Sequence, residues 1–220
     1  MTVHGRGETH PVREAPRVRD MPAPRRSESA AGGAMQRVFA WPYRGVLAFL
    51  LWTGVRPWQL TLLSLALNVV TGVLIVTGQW FAAGSVLILA GACDVFDGSV
   101  ARHRGEAHRA GAFMDSVLDR VSDMILFSCL FWRLAADGES FQAALALVTL
   151  VVSLATSHVR AEAEAAGVTL SEGLFQRLER VLALIVGLLI PGAMLPVLVI
   201  LSVLGVITVA QRVTAALRGA

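Results

Sequence analysis

From residue 58 to residue 213 the chain is dominated by six apolar segments, each close to the ~20 residues a helix needs to cross the hydrocarbon core of a bilayer. Backbone polar groups in lipid must be satisfied within the segment, which leaves helices as the reading for apolar runs of this length. Spans are predicted at 58–77, 80–102, 111–134, 140–163, 176–192 and 194–213. Turn residues separate them: Gln79 in the first connection, Asp137-Gly138-Glu139 in the third and Pro191-Gly192 in the fifth. The fold class that follows is an all-α integral membrane protein with six transmembrane helices. Composition agrees, since 55% of the residues are hydrophobic and only 16% are charged.

Charge placement orients the layout. All 19 basic residues are Arg. Arg102, Arg104 and Arg109 border the second connection, Arg160, Arg177 and Arg180 the fourth, and Arg212 and Arg218 the C-terminus. Arg133 is the exception among the opposite connections. By the positive-inside rule, both termini of a multi-pass protein of the cytoplasmic membrane then face the cytoplasm.

Residues 1–34 differ from the rest: they carry six arginines, four prolines and few large apolar residues, the composition of a disordered cytoplasmic tail. The membrane domain is read as 35–220. It opens with MQRVFAWPYRGVLAFLLWTGV, where arginines and aromatics flank apolar residues. That mixture predicts an amphipathic juxtamembrane helix in contact with membrane lipids, with Pro42 in its first turn or at a kink. Cys93 and Cys129 lie in apolar surroundings without zinc-site spacing and read as small buried hydrophobes. No nucleic-acid motif is present, and nucleic acid is not an expected partner.

Inside this apolar frame lie Asp94, Asp97, Asp115 and Asp119. One uncompensated carboxylate at the bilayer centre costs roughly 2.5–3.5 kcal/mol on insertion scales, so four together call for bound cations. Asp94 and Asp97 stand i,i+3 apart, Asp115 and Asp119 i,i+4, so each pair shares one helical face. Two antiparallel helices can thus present four hard oxygen ligands to one cavity, near the cytoplasmic side. Such a set suits divalent ions and can hold two about 3.5–4 Å apart, clamping phosphoryl oxygens. The alternatives are pairing of these acids with Arg102, Arg104, Arg109 and Arg120, or an ion path through a divalent-cation transporter. On the second helix Gly84, Gly91 and Gly98 recur every seventh residue, a small face that admits a close neighbour. Asp123 and Arg120 read as a supporting pair beneath the ligands, Ser116 as a packing residue, and His103 and His108 as solvated turn residues.

The stretch Asp94-x2-Asp97-Gly98-x2-Ala101-Arg102-x8-Gly111-x3-Asp115-x3-Asp119 resembles the signature of the CDP-alcohol phosphatidyltransferase family at every fixed position. The resemblance implies a metal-dependent enzyme of phospholipid biosynthesis. Such an enzyme transfers a phosphatidyl group from CDP-diacylglycerol to an alcohol and releases CMP. It implies two Mg2+ or Mn2+ ions on Asp94, Asp97, Asp115 and Asp119, with Asp119 as the catalytic base. Gly98, Ala101, Arg102 and Gly111 would line the CDP-donor site, and the family's homodimeric habit would extend to this chain. Thr61 resembles a threonine that follows a Pro-Asn pair in relatives; Trp58 stands here in place of that Asn.

Arg160, Arg177 and Arg180 form the candidate acceptor site, suited to a phosphorylated polyol. The segments SHVRAEAEAAG and LFQRLERVL resemble the phosphatidylinositol-phosphate synthase branch, with Glu162 and Leu178 as departures. Inositol phosphate is therefore the expected acceptor, with glycerol 3-phosphate the rival. His158 is expected near that pocket.

Overall fold

The computed structural model describes residues 30–106, 108–168 and 177–219, with side chains from Pro42 onward. Most of the segment read as a tail, and part of LFQRLERVL, lie outside these residues. Seven helices follow in order: α1 (Ala30–Thr53), α2 (Pro57–Val76), α3 (Trp80–Arg104), α4 (Arg109–Ala136), α5 (Ser140–Ala165), α6 (Arg177–Leu189) and α7 (Met194–Gly219). No strand occurs among the described residues. Four of the helices (α2, α3, α5 and α7) are long and apolar enough to cross a membrane. The chain is an all-helical membrane protein. The other two expected spans depart from that length and composition for identifiable reasons: α6 has 13 residues, and α4 carries the acids and arginines of the signature.

α1 begins at Ala30, within the segment read as tail, so Pro42 falls inside the helix rather than in its first turn. α2 starts where proline favours it. Pro57 occupies the first turn, its missing N–H costing nothing there, while the Gln59 side chain accepts a hydrogen bond from the Arg56 N–H at 2.9 Å. α3 ends at Gly105, whose φ of +67° is open to glycine at little cost. There the Glu106 N–H reaches back to the Ala101 carbonyl at 2.9 Å, closing the helix.

The six helices after α1 form a closed ring. α2 packs on α3, α3 on α6, α6 on α7, α7 on α5, α5 on α4, and α4 returns to α2. α1 lies outside the ring against α3. Consecutive α3 and α4 do not pack directly on each other among the described residues; α2 packs on both. This revises the expected side-by-side pair: the two signature helices face each other across an opening that α2 backs.

The ring interior is filled by Ile75, Leu87, Leu126, Phe127, Leu130, Leu184, Leu198 and Leu201, with small residues such as Ala83 and Ala90 between them. Many of the outward side chains, including Leu62, Val73, Phe81, Leu89, Val151 and Ile200, are exposed apolar groups, as expected of a surface solvated by lipid. The small-residue face of α3 works as expected over two of its three glycines. A Cβ on Gly84 would fall 2.7 Å from Leu189 of α6, while Gly91 faces Val181 of the same helix. Gly98 faces the guanidinium of Arg102 instead. Polar side chains inside the ring join helices, as where Ser64 donates to the Ala90 carbonyl at 3.0 Å and Thr149 meets Ser202 at 3.0 Å.

Candidate metal centre and active site

One turn into α2, the Thr61 hydroxyl points at α3 and donates to Asp97 Oδ2 at 2.7 Å. Asp94 lies one turn earlier on α3, and Asp115 approaches from α4. One carboxylate oxygen from each of Asp94, Asp97 and Asp115 lies within 4.8 Å of the others. Asp97 is only 5% exposed. Among the described residues, neither Asp97 nor Asp115 has a guanidinium in salt-bridge range. Three converging carboxylates, two of them with no guanidinium in range, fit a hard divalent cation, whose oxygen ligands they resemble in kind.

Asp119 is outside this group of three. Its carboxylate takes an ion pair from Arg177 at 2.8 Å, and the same nitrogen of Arg177 reaches Asp94 Oδ2 at 2.5 Å. Arg177, the first residue of α6, thus spans the ring interior between α3 and α4. Below it, buried Asp123 is held by Arg180 at 3.1 Å and by the Ser153 hydroxyl at 2.5 Å. Asp123 therefore does not pair with Arg120, which turns back to Ser116 and the Ser157 carbonyl. The acids do find arginines, but from α6 rather than from Arg102, Arg104, Arg109 or Arg120.

Two openings reach the carboxylates from different sides. A groove of about 870 Å³ has Asp97 and Asp115 in its wall, together with Thr61, Gly98, Ala101, Arg102 and Gly111. All five residues expected to hold the CDP donor thus line one groove between the start of α2 and the α3–α4 turn. His108 lines it as well, a position its assignment to a solvated turn did not anticipate. Arg102 is folded back over Gly98 and donates to Ser99 at 3.1 Å. A smaller cavity of about 180 Å³ lies against Asp94, Asp119 and Arg177, with Ser64 and Asn68 in its wall.

The three arginines grouped as an acceptor site part company. Arg177 reaches the cavity, Arg180 is buried against Asp123, and Arg160 is exposed on α5, paired with Glu164 at 2.8 Å. Glu162 lies 3.9 Å from an exposed His158. Ser64, Asn68 and Ser153 were not picked out by sequence. Single polar residues in an apolar helix carry no spacing signal, and only the fold shows which of them face inward.

The sequence pattern of the CDP-alcohol phosphatidyltransferases matches residues 55–215. A phosphatidylinositol phosphate synthase of Corynebacterium glutamicum is 39% identical over 145 residues, 64% of this chain and 66% of that protein, just under two thirds of its length. Another of that name, from Mycobacteroides abscessus, is 34% identical over 174 residues, covering 76% of this chain and 79% of that one. The crystal structure of Mycobacterium tuberculosis phosphatidylinositol phosphate synthase with CDP-DAG bound superposes with a TM-score of 0.71 at 30% identity, over 78% of this chain and 92% of that chain. The same enzyme in complex with manganese and citrate gives a TM-score of 0.70, over 78% and 87% of the two chains. With the signature residues divided between the groove and the adjoining cavity and the family pattern matched over residues 55–215, the chain belongs to the CDP-alcohol phosphatidyltransferase family.

Proposed function

We propose that the protein transfers the phosphatidyl group of CDP-diacylglycerol to inositol phosphate and releases CMP. The observation that carries this reading is the meeting of three carboxylates, two of them, Asp97 and Asp115, in the wall of a groove lined by further signature residues and the third, Asp94, in the wall of the smaller cavity. Relatives named as phosphatidylinositol phosphate synthases, one of them solved with CDP-DAG, support the donor and the acceptor.

On this reading the groove takes the CDP moiety, with Gly98, Ala101 and Gly111 keeping its wall low and Arg102 and Thr61 at its rim. Asp94, Asp97 and Asp115, with Asp119 beside them, would hold two ions of Mg2+ or Mn2+, the latter supported by the manganese-bound neighbour. Bound there, such ions polarise the diphosphate and take up charge forming on the departing CMP. The acceptor enters by the cavity, where Arg177 offers a guanidinium to its phosphate. Its hydroxyl oxygen attacks the phosphorus that bears diacylglycerol, the bond from that phosphorus to the CMP oxygen breaks, and Asp119 receives the hydroxyl proton. No covalent enzyme intermediate is needed. Arg180 acts through Asp123, tying α6 to α4 across the ring interior. Arg160 reaches an acceptor only by leaving Glu164.

We further read α4 and α6 as spans, giving six in all. The ends of α3 and α4 joined by Gly105 then face the cytoplasm, in the cytoplasmic membrane, with both termini on that side and the protein acting as a homodimer. The test is CMP release by purified protein from CDP-diacylglycerol with inositol phosphate, glycerol 3-phosphate, inositol or serine. Turnover with inositol phosphate alone is expected. Turnover with glycerol 3-phosphate instead overturns the acceptor, and metal uptake into liposomes without lipid cleavage returns the chain to a transporter.

A further inference from the structure

Tyr43 is the only tyrosine in the chain. It lies on α1, outside the ring, yet its hydroxyl donates to Ser99 Oγ on α3 at 2.6 Å. Its ring stacks on Phe96 with centroids 5.1 Å apart. Ser99 is 6% exposed and fully engaged. It donates to the Val95 carbonyl at 3.0 Å and accepts from Tyr43 and from Arg102 Nη2, the latter at 3.1 Å. A hydroxyl has one donor and two acceptor sites, so all three are used. The guanidinium so held is the one that lines the groove. It lies over Gly98, where an added Cβ would come within 3.2 Å of Arg102 Nη1.

We propose that Tyr43 is a positioning residue for donor binding: by locking Ser99 it holds Arg102 along the groove wall, which couples the seating of α1 to affinity for the CDP-lipid. A free arginine on a helix end samples many rotamers, and ordering it on binding would weaken affinity. Two contacts fix the Ser99 rotamer that spares this loss, the Val95 carbonyl on its own helix and the Tyr43 hydroxyl from the α1 side. The rest of α1 is attached independently of the groove. Leu47 and Ala48 pack with Leu60 and Val100, and Arg104 donates to the Gly54 carbonyl at 3.3 Å. Losing the phenol oxygen therefore leaves α1 docked while Ser99 keeps only its Val95 anchor and holds Arg102 less firmly. The proposal rests on the donor assignment made above.

The full chain in nanodiscs is assayed for CMP release from CDP-diacylglycerol. Tyr43→Phe keeps the ring on Phe96, and Ser99→Ala removes the shared oxygen. Each is expected to raise KM for the CDP-lipid about three- to tenfold, with kcat within about twofold of wild type. Thermal stabilisation of the protein by added CDP-diacylglycerol should fall in parallel, a readout independent of turnover. In an Arg102→Ala background, Tyr43→Phe should change KM no further, because the two act on one path. An unchanged KM in Tyr43→Phe, or an equal rise in the Arg102→Ala background, overturns the role of Tyr43. A wild-type chain that neither binds nor cleaves the CDP-lipid instead overturns the donor assignment, and this inference with it.

Discussion

Asp119 stands one turn from Asp115 on α4, yet only Asp115 joins Asp94 and Asp97 in the converging group, while Arg177 pairs with both Asp119 and Asp94. That grouping separates the roles of the acids. Asp119→Asn is expected to lower CMP release by about 10²–10⁴-fold while Mn2+ binding, measured by calorimetry, falls little. Asp97→Asn should lower Mn2+ affinity by at least about tenfold and activity with it. Asp123 and Arg180 form a pair buried on both sides. Removing one partner leaves a charge stranded, so Arg180→Ala should destabilise by about 3–5 kcal/mol, read as a drop in thermal midpoint in detergent. Asp123→Asn combined with Arg180→Met should recover part of that loss. The shared face of Asp94 and Asp97 was legible from spacing, because i,i+3 positions are neighbours whatever the helix packs on, whereas the set of four read from the sequence did not foresee Asp119 standing apart from the other three. The partner of Asp123 was not legible either. Arg120 is three residues away and Arg180 is 57, and only closure of the ring brings the distant one near.

At the level of helices, hydropathy carried most of the architecture. The expected spans at 58–77 and 140–163 correspond to α2 at Pro57–Val76 and α5 at Ser140–Ala165. The fourth connection was the weak point: Arg160, read at its border, lies well inside α5, which runs on to Ala165. An apolar pattern fades before a helix ends, since terminal turns can be polar and solvated. The glycine face of α3 gives a sharp contrast. Gly84→Ala would drive a methyl into Cγ of Leu189 at 2.8 Å and Cβ of Leu188 at 3.2 Å. It should destabilise the α3–α6 contact by about 1–3 kcal/mol. At Gly91 the nearest atom, on Val181, lies at an ordinary 3.6 Å, so Gly91→Ala should stay within about 0.5 kcal/mol of wild type. Comparing the two thermal midpoints checks both. The seven-residue period announced this face, but not which helix would use it.

For the whole molecule, the ring makes sidedness testable. In a protein whose two cysteines are replaced by alanine, Glu106→Cys should react with a membrane-impermeant thiol reagent only from the cytoplasmic face. Glu139→Cys should react only from the other. Labelling of both from one face would remove the six-span reading. The pairing of α4 with α6 also bears on how the molecule is made. The acids at positions 119 and 123 leave the ribosome well before Arg177 and Arg180. A nascent chain that has reached only α5 carries those carboxylates without their counter-charges, and lipid is a poor host for them. On the six-span reading, stable residence of α4 in the bilayer then waits until α6 has been made. The decisive step of biogenesis would come late, after the greasier helices before it have inserted.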